Sequence, residues 1–265
     1  MTNNINSTLI APDILSDDSL ESKSLWFKYK SAVWPLESQD SKDERSVAVH
    51  NILRIVRSIR SEEGLAYASS PVTTGKVMYN LQRKYEVYRG PLFNRVILEP
   101  AMTLNYANAV EFVQSLEKIV TKPIIFPADM TPAWQEWEQA HFQALWLSII
   151  SEKCSEVYMS KDWEYSNGAS EEFTHAMQLK LGRPKSDKLI FYNTKEDFDK
   201  SLDRMKNIKV YDYSGKPLSI DDGIIALEKS IGEIKGWKFN APKLENCLNL
   251  LYWTKNKLDE GFYQK

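Results

Sequence analysis

The chain has 265 residues, a formal net charge of −2 and 43% hydrophobic side chains, an ordinary composition for a globular protein with a sizeable core. Its 34 basic and 36 acidic residues leave no basic excess, so a dedicated binder of polymeric nucleic acid is not expected. No run approaches the ~18 consecutive apolar residues of a membrane span, and the polar start from Met1 to Ser7 is not a signal peptide, so a cytoplasmic protein without a membrane segment is expected.

Cys154 and Cys247 stand far apart and are expected to be two buried thiols rather than a disulfide. The histidines are His50, His141 and His175; without an HExxH or CxxC pattern, no metal site is expected.

Residues 1–20 are rich in Asn, Ser and Asp, which predicts loose order. Asp43 to Ser61 carries Val47, Val49, Ile52, Leu53, Ile55, Val56 and Ile59 at helical spacing, ended by Gly64. Leu65 to Ser69 reads as a short strand, followed by the hydroxyl-rich loop Ser70-Pro71-Val72-Thr73-Thr74-Gly75. Ala107 to Val120 predicts a helix, and Pro123 to Phe126 a second strand. Thr131-Pro132 opens a helix towards Lys153, with Thr131 as N-cap. Glu156 to Ser160 is the third strand. Asn167 is the expected N-cap of the next helix, which Gly182 would end.

Leu189 to Tyr192 reads as a fourth strand, and the tail as two helices over 220–236 and 241–258, with Pro242 opening the second. Strands alternating with helices predict an α/β fold: a parallel sheet covered on both faces, a flavodoxin-like or Rossmann-like three-layer core. The expected division is an N-terminal helical extension over 1–62, a catalytic domain over 63–195 and a C-terminal helical extension over 196–265.

In open α/β sheets, ligands bind at the carboxyl ends of the strands. Two loops have that placement: the one after Tyr67, and Ser166-Asn167-Gly168-Ala169-Ser170, whose N–H groups would face a bound anion. Neither fits a P-loop or GxGxxG pattern. Glu171 and Glu172 follow in what should be the first helical turn, where the dipole favours an ionised carboxylate; such pairs often do no more than compensate the dipole.

Ser166-x-Gly168-x-x-x-Glu172-x-x-x-Ala176, preceded by Trp163, resembles the signature of the nucleoside 2-deoxyribosyltransferase-like superfamily. The likeness spans about residues 65–192. It implies Glu172 as the nucleophile of a double displacement at an N-glycosidic bond, and Tyr67 as the residue that orients it. Position selects Glu172 over Glu171, because only Glu172 lies six residues after Ser166.

Ser166, Asn167, Gly168, Ser70, Thr73, Trp163 and Asp162 become candidate contacts to substrate, with Trp163 the best placed to stack on a base. Ser166 stands where the classical transferases tend to carry aspartate, and a neutral hydroxyl suits a nucleoside 5′-monophosphate. No cofactor is implied, and a homodimer or larger homo-oligomer is.

Two positions depart from the pattern. The window for the family's leaving-group acid holds Leu147 and Ser148, with Glu138, His141 and Asp162 the nearest substitutes. Ser70 replaces the usual glycine of the first loop. The alternative function is a weak or inactive binder of a nucleotide-derived ligand. His175, one turn past Glu172, reads either as a satisfied buried histidine or as a general acid.

Overall fold

A computed structural model of the protein describes residues 63–87, 89–129, 139–181 and 203–261, with Ile52, Ile55, Val56, Ile59 and Ser61 ahead of them. The elements run β1 (Leu65–Ser69), α1 (Lys76–Tyr85), α2 (Glu99–Leu116), β2 (Ile124–Ile125), α3 (Gln139–Lys153), β3 (Cys154–Met159), α4 (Asn167–Leu179), β4 (Lys209–Tyr211), α5 (Ile220–Gly236) and α6 (Pro242–Asp259). The expected α/β architecture is present: four parallel strands in the order β2-β1-β3-β4, with helices on both faces.

β1 is the central strand, every residue of it buried. Its period of two divides the core. Leu65 and Tyr67 join a large cluster with α3, α4, α5 and α6, while Ala66 and Ala68 face a smaller one built on Ala109, Phe112 and Leu116 of α2. α2 buries Ala101, Asn105, Ala109, Phe112 and Leu116, the three- and four-residue spacing of one helical stripe. It begins at Glu99 rather than Ala107, and α1 precedes it; the apolar pattern of both is too mixed to announce them.

β1 coincides with its prediction because Gly64 and Pro71 bracket the run. Gly64 adopts φ +80°, and a Cβ there would lie 2.9 Å from Ser155 Oγ. The tail helices also fall where expected: Ser219 and Asp222 form a capping box at the start of α5, and Pro242 opens α6.

The fourth strand is Lys209–Tyr211, pairing Val210 with Val157 of β3. The strand expected at Leu189–Tyr192, the cap at Thr131, the stop at Gly182 and residues 1–51 lie outside the described residues. Residues past 195 supply a sheet strand and, through Ile224, Leu227, Leu244 and Leu251, part of the main core. Gly223 of α5 sits against Phe173 of α4, where a Cβ would come within 2.0 Å of the ring. Cys154 and Cys247 are buried free thiols, each held far above the ordinary thiol range by burial. Among the described residues no helix is long and apolar enough to cross a membrane.

Candidate active site

The chain leaves β1 for the edge strand β2 and returns on the other side as β3. The carboxyl ends of β1 and β3 therefore diverge into a crevice, the topological switch point of an open parallel sheet. The loops after β1 and β3 line it, and α4 starts there.

α4 is capped by Ser166 and not by Asn167. Ser166 has extended backbone angles (φ −100°, ψ 127°), and its hydroxyl accepts from the Ala169 N–H at 3.4 Å. Glu172 is therefore the sixth helical position, in the second turn and not the first, where the dipole effect has faded. Tertiary partners replace it. Tyr67 and Ser69 stand two apart on β1 and point to the same face. The Tyr67 hydroxyl donates to Glu172 Oε1 at 2.7 Å, and the Ser69 hydroxyl donates to Oε2 at 2.5 Å.

Burial raises the Glu172 carboxyl from 4.5 to about 7; the bonds from Ser69 and Tyr67 oppose that rise and the neighbouring Glu171 adds to it. Helix-end stabilisation of an ionised Glu172 is thereby corrected: desolvation outweighs the groups that favour the charge. The side chain remains partly exposed to solvent at the crevice.

Ser166 is 2% exposed, its hydroxyl engaged in the cap and 3.4 Å from Thr74 Oγ1. The Asn167 N–H donates to Thr74 Oγ1 at 3.1 Å. Two of the polar groups expected to meet an anion thus meet the protein. At Gly168 the space a side chain would fill is open.

Ser70 and Thr73 are half-buried in the first loop. The contact to Glu172 comes from Ser69, and that to the start of α4 comes from Thr74. Asn105 of α2, 4% exposed, fixes this loop by donating to the carbonyls of Val72 (2.9 Å) and Thr74 (3.2 Å). The parity of β1 points to Ser69; nothing local in the sequence points to Asn105, whose role is tertiary.

Asp162 lies in the loop after β3 in the left-handed region (φ 60°) and forms an ion pair with Lys76 at 3.1 Å. Lys76 also lies 4.8 Å from the centre of the Tyr165 ring. Trp163 is 6% exposed and stacks on Phe173 at 4.5 Å between ring centroids, a core contact rather than a platform for a base. His175 is buried, its Nε2 2.7 Å from Ser151 Oγ, and burial pushes it down to about 4. It is the satisfied core histidine of the two readings. Leu147 and Ser148 are buried. Glu138 and the His141 side chain lie outside the described residues. Among the described residues no group of three or more His, Cys, Asp or Glu side chains is placed to hold a metal ion.

Fold and site define an open parallel α/β protein with a hydroxyl-bridged carboxyl at its switch point. No family model, curated protein or solved structure matches the chain.

Proposed function

We propose that the protein cleaves or exchanges the N-glycosidic bond of a nucleoside or nucleoside 5′-monophosphate, as a member of the nucleoside 2-deoxyribosyltransferase-like superfamily. The observation that carries this is the Glu172 carboxyl gripped by Tyr67 and Ser69 at the carboxyl end of β1. In the ionised form one Glu172 oxygen attacks the anomeric carbon. The C–N bond breaks, its electron pair leaves with the base, and a glycosyl ester forms; water or a second base then attacks the same carbon and releases the carboxylate. The Tyr67 and Ser69 hydroxyls hold the carboxylate in one orientation and offset part of its desolvation.

Ser166 favours a phosphorylated substrate by being neutral rather than by touching it: an aspartate there would put a charge beside the open space at Gly168. Substrate contact in the crevice is left to Asp162, Ser70, Thr73 and the backbone at Gly168.

A binder with little or no turnover is the second reading. Buried Leu147 and Ser148, at the place of the family's acid, favour it. The protein as proposed is cytoplasmic and homo-oligomeric; the exposed Tyr252 and Leu258 of α6 suit an interface between copies.

Incubation with nucleosides, nucleoside monophosphates and NAD, with free base followed by chromatography, tests the enzyme. Base release that is lost in Glu172→Ala supports it. Saturable binding without release supports the binder, and neither binding nor release refutes both.

A further inference from the structure

We propose that α5 shapes the crevice from the C-terminal part of the chain: Tyr165, on the turn before α4, and Glu233, on α5, are positioning residues that fix the loop at the crevice mouth. That loop leaves β3 and runs from Asp162 through a single turn of 3-10 helix, Trp163–Tyr165, to the Ser166 cap. The turn closes its own backbone bonds, from the Tyr165 N–H to the Asp162 carbonyl (3.2 Å) and from the Ser166 N–H to the Trp163 carbonyl (2.9 Å). One isolated turn is marginal without outside contacts.

Each of its three residues is met by α5 or by a side chain that α5 packs on. Trp163 stacks on Phe173, which lies against Gly223. The Glu164 carbonyl accepts from the Ser230 hydroxyl at 2.9 Å. The Tyr165 hydroxyl donates to Glu233 Oε2 at 2.6 Å, and its ring stacks on Trp237, with 6.0 Å between centroids and 14° between planes. Positions 230, 233 and 237 are three and four apart, so one face of α5 carries these contacts.

Tyr165 in turn reaches the crevice. Lys76, at the start of α1, lies 4.8 Å from the centre of its ring and 3.1 Å from Asp162. The path from α5 runs through Glu233, Tyr165 and Lys76, and it ends on Asp162, a residue left to meet substrate. Tyr165 is 1% exposed, too buried to meet substrate itself, so its effect passes through Lys76 and Asp162. Glu172 is held separately, by Tyr67 and Ser69 of β1. The turn thus governs how substrate is seated and not the charge of the carboxyl. This consequence rests on the proposed function; the fixing of the loop does not.

Tyr165→Phe removes the hydroxyl and keeps the ring beside Lys76 and Trp237. Glu233→Ala removes the acceptor, and Glu233→Gln keeps an acceptor oxygen. Hydrogen exchange of the full chain, followed by NMR at the Tyr165 and Ser166 amides, reads the loop without turnover. Tyr165→Phe and Glu233→Ala should each speed these two amides by about tenfold, the low end for a lost bond to a charged group because Glu233 is half-buried, while the β1 amides stay protected. The double variant should match either single one, and Glu233→Gln should restore most of the protection. With a nucleoside 5′-monophosphate as substrate, KM should rise about fivefold in Tyr165→Phe and Glu233→Ala, kcat should change by less than about twofold, and Glu233→Gln should recover the KM.

Unmoved Tyr165 and Ser166 amides, an equal gain in exchange over β1, or additive effects in the double variant overturn the fixing of the loop. A fall in kcat at unchanged KM, or unchanged kinetics, overturns the positioning role. If exchange behaves as expected and no nucleoside or nucleotide releases base, α5 still fixes the loop and the glycosidase reading falls.

Discussion

Replacing Tyr67 by Phe tests the chemistry of the site with the least structural disturbance. The ring stays in its fully buried place on β1, and the substitution removes the hydroxyl that donates to Glu172 Oε1 at 2.7 Å. That bond favours the charged carboxylate, so removing it raises the midpoint of a group already near 7. A hydrogen bond to a charged group contributes on the order of 1.5–3 kcal/mol, which corresponds to a rise of about one to two pH units. The ionised fraction at pH 7 then falls from about a half to between about a tenth and about a hundredth, and kcat/KM should drop by on the order of 5- to 50-fold. The loss should shrink as pH rises and nearly vanish above pH ~10, where Glu172 ionises in either protein. Base release measured across pH gives the result. A loss equal at every pH, or an acid limb moved downward, would refute the argument, because the phenol would then act on something other than the ionisation of Glu172.

Three further expectations follow from the same geometry. Glu172 titrates higher in the folded chain than the ordinary 4.5, so its contribution to stability is present in full below that value and is lost as pH rises through about 7. Glu172→Gln should therefore stabilise the fold at pH 8 by on the order of 2–3 kcal/mol and leave it almost unchanged at pH 4, in denaturant melts at the two pH values; equal effects at both would contradict the sign. Gly223→Ala places a Cβ within 2.0 Å of the Phe173 ring and should cost on the order of 1–3 kcal/mol as overpacking, read as a lowered Tm; an unchanged Tm would mean that α5 is free to move away. Asn105→Ala removes both donors from the first loop and should loosen residues 70–75 to hydrogen exchange while β1 stays protected; equal protection of the loop in both proteins would show that Asn105 is dispensable there.

β1 and the two tail helices were legible because each is an apolar segment bracketed by residues with a clear conformational preference: Gly64 and Pro71, Ser219, Pro242. β3 was legible from its apolar residues alone and begins at Cys154, two residues before the expected Glu156. α1 was not, since Lys76 to Tyr85 mixes apolar, polar and charged side chains and buries only Tyr79 and Gln82. Lys209–Tyr211 has only Val210 buried and is a strand because β3 is beside it.

Within the site, Tyr67 and Glu172 were named from the resemblance that the Ser166–Ala176 motif and the end of the first strand carry, and the structure brings them together. The cap was misplaced by one residue because Ser and Asn serve equally well at that position; with either cap Glu172 falls past the first turn, at the fifth or the sixth helical position. Trp163 looked like a stacking surface because it precedes an active loop; its partner Phe173 is ten residues on, and only the fold brings the two rings together. Thr74 and Asn105 act on segments distant in the chain, a relation that no local pattern encodes.

The alternation along β1 also divides labour between the two sides of one strand. Positions 67 and 69 hold the Glu172 carboxyl, while Ala66 and Ala68 pack against α2. A lineage of such proteins can exchange one reaction for another at the odd positions without renegotiating the packing behind them, and can adjust the scaffold at the even ones without disturbing the carboxyl. The insertion of a single residue into β1 would cost both at once, turning the alanines to the crevice and the hydroxyls into the hydrocarbon against α2.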